Sequence, residues 1–210
     1  MIINPQELDR VARYKLMIGA IVPRPIAWVS TMSADGRLNL APFSYFTAVC
    51  PQPMTLVFCP GVHPDGRKKD TWLNIEEVPE FVIHITNEET AEAMNLSATV
   101  LPRGESEFEW AGVTPVSSQV VRVPRVAEAP IAFECRLQQI VVVSEQVGGG
   151  AAVFGEVQCI HVRDDLYENG RILLDRLHPI GRLAGSGYTR ITDTFEMHRV
   201  PPPAQNNSSG

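Results

Sequence analysis

The apolar residues of this chain fall into short runs broken by Gly, Pro and Asp, with few helical stripes. One stripe covers residues 5–18, where Leu8, Val11, Ala12 and Leu16 recur at roughly helical spacing. Pro23 and Pro25 end it, because proline disfavours helix at and before its own position. IAWVSTM (26–32) then reads as a strand and ADGRLN (34–39) as a turn carrying Asp35-Gly36. LAPFSYFTAV (40–49) reads as a second strand with Pro42 inside it, and MTLVFC (54–59) as a third. A proline cannot donate to a ladder, so Pro42 predicts an edge or a bulge. PGVHPDGRKKD (60–70) is loop, and DTWLNIEEV (70–78) a short helix with Asp70 or Thr71 as N-cap. EFVIHIT (80–86) is strand; EETAEAMNLSA (88–98) and GESEFEWAG (104–112) are helical. Residues 113–130 show no clear period. IAFECRLQQIVVVS (131–144) and AAVFGEVQCIHV (151–162) are long strands, joined as a hairpin by Gly148–Gly150. Strands outnumber helices and do not alternate with them, which disfavours a parallel α/β sheet. The pattern predicts a mainly β chain with minor α: a closed antiparallel barrel with short helical insertions. A single domain over residues 1–200 is expected, followed by a disordered tail at 201–210 (PPPAQNNSSG), which has no apolar anchor.

Composition narrows the function classes. The chain has 210 residues, 44% hydrophobic and 20% charged, enough for a sizeable core. A net charge of -6 argues against a broad nucleic-acid surface, although a local anion pocket fits it. No apolar run is long enough to span a membrane, and MIINPQELDR is not a secretory signal. Cys50, Cys59, Cys135 and Cys159 form no CxxC pair, which suits free thiols in a reducing, cytoplasmic setting.

Several kinds of chemistry have no motif here. Neither GxSxG, HExxH, GxGxxG nor a Walker sequence is present, so no metal site and no Rossmann domain are expected. Four stretches can carry chemistry. In KKDT (68–71), two lysines precede a helix start whose free N–H groups bear partial positive charge, so Lys69, Asp70 and Thr71 can grip a phosphate. A solvated basic loop is the plainer reading of the same residues. In PRPIAWVST (23–31), Arg24 offers a rigid fork and Ser30 and Thr31 offer hydroxyls, or they are a surface arginine and a strand end. In NLAPFS (39–44), Pro42 interrupts pairing and leaves backbone groups of Leu40, Ala41 and Phe43 for a planar heterocycle, or makes a simple bulge. GRLAGSGYTR (181–190) is a flexible cover containing Arg182 and Tyr188, or a loop. His84 and His161 read as hydrogen-bonded core histidines.

The order PRPIAWVST, NLAPFSYF, KDTWLNI, FVIHI, GEVQCIHV, GRLAGSGY resembles the flavin reductase-like family with its FMN-binding split β-barrel, over about residues 18–192. The resemblance implies a Greek-key split barrel and a homodimer with FMN near the subunit interface. It implies that Arg24, Ser30 and Thr31 lie near the ribityl-phosphate, and that Asn39, Leu40, Ala41, Pro42 and Ser44 run along the isoalloxazine. Lys69, Asp70 and Thr71 would anchor the phosphate, and Arg182 and Tyr188 would close the site. The expected function is an FMN-binding oxidoreductase: a flavin reductase using NADH or NADPH as transient hydride donor, or the reductase component of a monooxygenase or other acceptor. A flavin-holding electron carrier without NAD(P)H turnover needs the same anchor, and a β-barrel interaction module is a third reading.

Overall fold

The computed structural model describes residues 1–102 and 105–200; the tail expected at 201–210 lies outside the described residues. After a 3-10 turn at Pro5–Glu7, helix α1 runs over Arg10–Ala20, started by the Asp9 side chain accepting from the Ala12 N–H at 2.7 Å. Strands β1 (Ala27–Met32), β2 (Leu38–Phe43), β3 (Phe46–Pro51) and β4 (Met54–Phe58) precede helix α2 (Asp70–Glu77). β5 (Glu80–Ile85), α3 (Ala91–Leu96) and α4 (Glu107–Trp110) follow, then the short β6 (Pro115–Val116) and β7 (Arg125–Val126). The long hairpin of β8 (Ile131–Ser144) and β9 (Gly150–Val162) comes next. β10 (Tyr167–Glu168), β11 (Arg171–Ile172), α5 (Leu174–Leu177), β12 (Ile180–Arg182) and β13 (Tyr188–Arg190) complete the order.

Seven strands form one antiparallel sheet in the order β2-β1-β5-β8-β9-β4-β3. β2 and β4 are far apart in that order, yet the Phe43 and Phe58 rings meet at 5.1 Å, and Phe58 meets Phe81 of β5 at 5.6 Å. The sheet therefore curls until its inner face closes on one core of Ala27, Val29, Phe43, Phe58, Phe81 and Val153, among others. Its two end strands, β2 and β3, are not paired with each other. The barrel is split rather than closed as the residue pattern alone suggests. The stretch read as one strand, 40–49, is two strands on opposite edges, with Ser44 and Tyr45 crossing the seam. Pro42 does sit on an edge strand, as its missing N–H requires.

The outer face is covered by α3, α4 and residues 113–130. Trp28, Leu40, Met94, Phe108 and Val126 pack there, and the Trp28 indole donates to Ser97 Oγ at 2.8 Å. His84 is fully buried: Nδ1–H donates to the Trp28 carbonyl at 2.8 Å and Nε2 accepts the Val126 N–H at 2.9 Å. Burial pushes its pKa down to about 4, so it is neutral, the core histidine expected. His161 is also hydrogen-bonded, to the buried Glu134. All four cysteines are free thiols. No described helix is long and apolar enough to cross a membrane.

α1 departs from expectation in what its apolar side meets. Only Ile18 is buried, while Val11, Tyr14, Leu16 and Met17 stand about half in solvent. The tip of the β8–β9 hairpin is similar, with Val143 80% exposed.

Candidate functional site

A cavity of about 410 Å³ lies along the seam, walled by Pro42, Phe43, Ser44 and Tyr45 on one side and by Met94, Asn95 and the β12–β13 hairpin on the other. A smaller cavity of about 80 Å³ continues from it toward the start of α2, and Pro42, Lys69 and Ala98 line both. Together they make one elongated cleft with Lys69 at its waist.

β2 forms the cleft's straight side because its outer edge has no strand partner. In an antiparallel pair, alternate residues turn both N–H and C=O away from the partner. Leu40 is such a residue: its N–H donates outward to Glu107 Oε2 at 3.0 Å. Pro42, two residues on, has the same orientation and no N–H, so its carbonyl faces the cleft. The Leu40 N–H anticipated as free is thus already bound, since α4 brings a carboxylate to the edge. Ala41 and Phe43 are in the β1 ladder, opposite Val29 and Ala27.

Lys69 holds the N-cap position of α2, in place of the expected Asp70 or Thr71, and supplies no side-chain cap. Its ammonium lies 5.4 Å from the centre of the Phe43 ring, and burial lowers its pKa. No carboxylate pairs with it among the described residues. Asp70 lies in the first turn of α2, lines the smaller cavity, and is followed by the buried Thr71. Asn39 Nδ2 donates to Thr71 Oγ1 at 3.0 Å and to Thr31 Oγ1 at 3.2 Å, and Asn74 Nδ2 donates to Thr31 Oγ1 at 3.1 Å. This buried network pins the first turns of α2 to β1 and β2. Thr31 and Asn39 thereby position the helix start.

Arg24 is 5% exposed and lines the large cavity. Its guanidinium donates to the carbonyls of Ile18 (2.9 Å), Ile21 (2.6 Å) and Leu183 (3.1 Å) and to Ser44 Oγ (3.3 Å). Its backbone also pairs with Arg182 in both directions. It clamps the end of α1, the seam turn and the β12–β13 hairpin together. Carbonyl partners leave its charge un-neutralised, so it makes the cavity floor positive. Ser30 is elsewhere: buried in β1, it donates to the Pro124 carbonyl at 2.8 Å under the outer cover. Arg182 stacks 4.4 Å from the Tyr188 ring centre and donates to the Gly185 carbonyl at 2.6 Å; Tyr188 Oη donates to Asn95 Oδ1 at 3.2 Å. The hairpin is a folded rim, turned through Gly185, whose φ of +58 favours glycine.

Sequence reasoning missed Glu107, Tyr14, Tyr45 and Cys59. Burial raises the pKa of Glu107, and also those of Tyr45 and Cys59. Glu107 shows only as one acid in GESEFEWAG, and no spacing signals that it reaches β2.

The residues present fit a flavin nucleotide. An unpaired, desolvated ammonium beside a helix start calls for an anion. A cavity of about 410 Å³ against a strand edge with an outward carbonyl suits a planar heterocycle. The flavin reductase like domain matches residues 18–179, and the chain belongs to the flavin reductase-like family. That membership puts it in the flavoprotein oxidoreductase class, on the split-barrel fold. The chain is 42% identical over 208 residues to an uncharacterized protein of Halalkalibacterium halodurans, covering 98% of this chain and 99% of that one. Its structure resembles nitrilotriacetate monooxygenase component B from Bacillus cereus, with a TM-score of 0.90, 40% identity, and 94% and 98% of the two chains covered. It also resembles 2-nitrobenzoate 2-nitroreductase of Pseudomonas fluorescens, with a TM-score of 0.84, 33% identity and 100% of each chain covered.

Proposed function

We infer that the protein is an FMN-dependent reductase that takes hydride from NADH or NADPH and serves an electron acceptor such as a monooxygenase. The observation that carries this reading is the Lys69 ammonium, without a carboxylate partner among the described residues, at the waist of the cleft and next to the start of α2. Lys69 and the first N–H groups of α2 hold the phosphate, charge against charge. Pro42 and Ser44 border the ring along the seam, and Thr31, Asn39 and Thr71 keep the helix start in place. Arg24 keeps the floor positive and joins three segments around it. When bound, the flavin supplies the hydride-accepting chemistry. Tyr188 and Arg182 form the rim against which the nicotinamide nucleotide rests, with the guanidinium near its pyrophosphate. The acceptor is favoured by the likeness to a monooxygenase component B.

The same reading includes a homodimer. The exposed apolar side of α1 and the β8–β9 tip frame a hollow of about 640 Å³, reached by Tyr14, Tyr45 and Val143. Tyr14 and Tyr45 also line the large cavity, so a partner seated there borders the flavin cleft.

Titration of purified protein with FMN and with riboflavin tests the phosphate site: FMN should bind at least about tenfold more tightly. Equal affinities would remove the role given to Lys69. Under anaerobic conditions, NADH or NADPH should bleach the bound flavin. Bleaching by dithionite alone would make the protein an electron carrier instead.

A further inference from the structure

Glu134, Cys159 and His161 meet on the face of the sheet opposite the barrel core. Glu134 of β8 lies directly across from Cys159 of β9, and His161 lies two residues along β9, so all three side chains leave the sheet on one side. His161 Nε2–H donates to Glu134 Oε1 at 2.5 Å, and Cys159 Sγ stands 3.9 Å from the same nitrogen. The three ligand atoms lie within 4.8 Å of one another. Glu134 is fully buried and immobilised: Oε1 accepts the Gln119 N–H at 2.6 Å, and Oε2 accepts those of Val120 at 2.6 Å and Val121 at 3.1 Å. The Cys159 thiol has no other hydrogen-bond partner among the described residues, and none of the three side chains lines the flavin cleft.

Both neighbours of His161 converge on one nitrogen. That excludes a relay in which the imidazole passes a proton between thiol and carboxylate through its two nitrogens. It is the arrangement of three donors around one point. We propose that Glu134, Cys159 and His161 bind a zinc-class divalent cation.

Thiolate, imidazole and carboxylate are the donor set of zinc, with metal–ligand lengths of about 2.3, 2.0 and 2.0 Å. Tetrahedral angles then place sulfur and nitrogen about 3.5 Å apart, and nitrogen and oxygen about 3.3 Å apart. From the present 3.9 and 2.5 Å, side-chain rotations of under about 1 Å reach both. The cation takes the place of the Nε2 proton, imidazole stays neutral with its proton on Nδ1, and the Cys159 thiol proton goes to solvent. The backbone N–H groups on Glu134 fix the carboxylate as outer-shell partners do. His161 is 22% exposed, which gives the ion an entrance and leaves the fourth position to water. A thiolate ligand selects against Mg²⁺ and Ca²⁺. The bound ion would join β8, β9 and, through Glu134, the segment at 119–121 that covers them. The sequence rule that expected no metal looks for ligands spaced along the chain; here they assemble across two strands.

The test is a titration of the untagged full-length protein with Co²⁺, recorded as difference spectra that cancel any flavin bands. We expect a thiolate-to-cobalt charge-transfer band saturating at one equivalent, displaced by Zn²⁺ and not by Mg²⁺. It should vanish in Cys159→Ser, and His161→Gln should weaken binding at least about tenfold. Both side chains are partly exposed, so these variants keep their fold, which circular dichroism checks. Glu134→Gln is set aside because that carboxylate also holds the covering segment. Absence of the band at one equivalent in the parent protein overturns the proposal. So does a band that survives in Cys159→Ser, which would assign the metal to another thiol.

Discussion

Replacing Lys69 by methionine keeps the length and apolar stem of the side chain and deletes only its charge. Two opposite consequences follow from the surroundings of that charge. Without ligand, the ammonium is largely out of water, with an aromatic face for company and no carboxylate among the described residues. Burial lowers its pKa, so the unfolded chain holds that proton more tightly than the folded one. The sign is therefore fixed: stability contributed at this position rises as pH rises through the lowered folded value toward 10.5, and the penalty is fully present below it. Lys69→Met removes the penalty, so the flavin-free variant should melt no lower than the parent at pH 7. With FMN the order reverses. A charge-assisted contact to phosphate, partly shielded from water, contributes about 2 kcal/mol. At about 1.4 kcal/mol per decade that is roughly thirtyfold in Kd. Riboflavin, lacking the phosphate, should bind parent and variant alike. Fluorescence titration with both ligands reads this directly. An equal loss for FMN and riboflavin would mean that the ring site was damaged, and no loss for either would mean that the phosphate lies elsewhere.

Glu107→Ala should lower the melting temperature, because the Leu40 N–H loses its acceptor at a cost of about 1–3 kcal/mol. Glu107→Gln keeps an acceptor; since burial raises this carboxyl's pKa, the parent loses stability as pH rises through that raised value and the glutamine variant does not, which urea melts at pH 4 and 7 would show. His84 is held neutral with a pKa of about 4, so its contribution of about 3 kcal/mol should fade as pH falls from 6.5 toward 4, and His84→Gln should flatten that part of the profile. Arg182→Ala should slow anaerobic bleaching by NADH or NADPH more than it weakens FMN binding; stopped-flow spectra set against the FMN titration would decide. Sedimentation should give a dimer at micromolar concentration, and Met17→Glu with Val143→Glu a monomer.

Much of the sheet was legible because its strands carry their own boundaries. Gly36 and Gly148, both at positive φ, mark hairpins that the residue pattern anticipates. The seam was not legible. Nothing local at Ser44 and Tyr45 says that the chain leaves one edge of a sheet for the other, since only the curl of the whole sheet makes those edges neighbours. The cleft was half readable. Lys69 and Pro42 follow from a helix start and a proline in a strand, which are short-range signals. Ser30 and Thr31 look equivalent in sequence, yet one hydroxyl goes to the outer cover and the other to α2, because alternate residues of a strand face opposite layers. Glu107 and Glu134 were invisible as partners: each is a buried carboxylate satisfied by backbone N–H groups from segments distant in the chain.

The contact that closes the barrel has a kinetic side. Phe43 and Phe58 join strands at far positions in the sheet, yet the two residues are close along the chain. Loop-closure entropy depends on chain separation and not on place in the sheet. Curling the sheet shut is therefore the inexpensive step, while pairing β1 with β5 and β5 with β8 must gather residues 27, 85 and 131 from much farther apart. The Phe43–Phe58 contact across the seam therefore closes only a short loop of chain, although its two edges become neighbours only when the whole sheet curls. Completion of the barrel then waits on the long-range strands, the slow part of topologies rich in distant contacts.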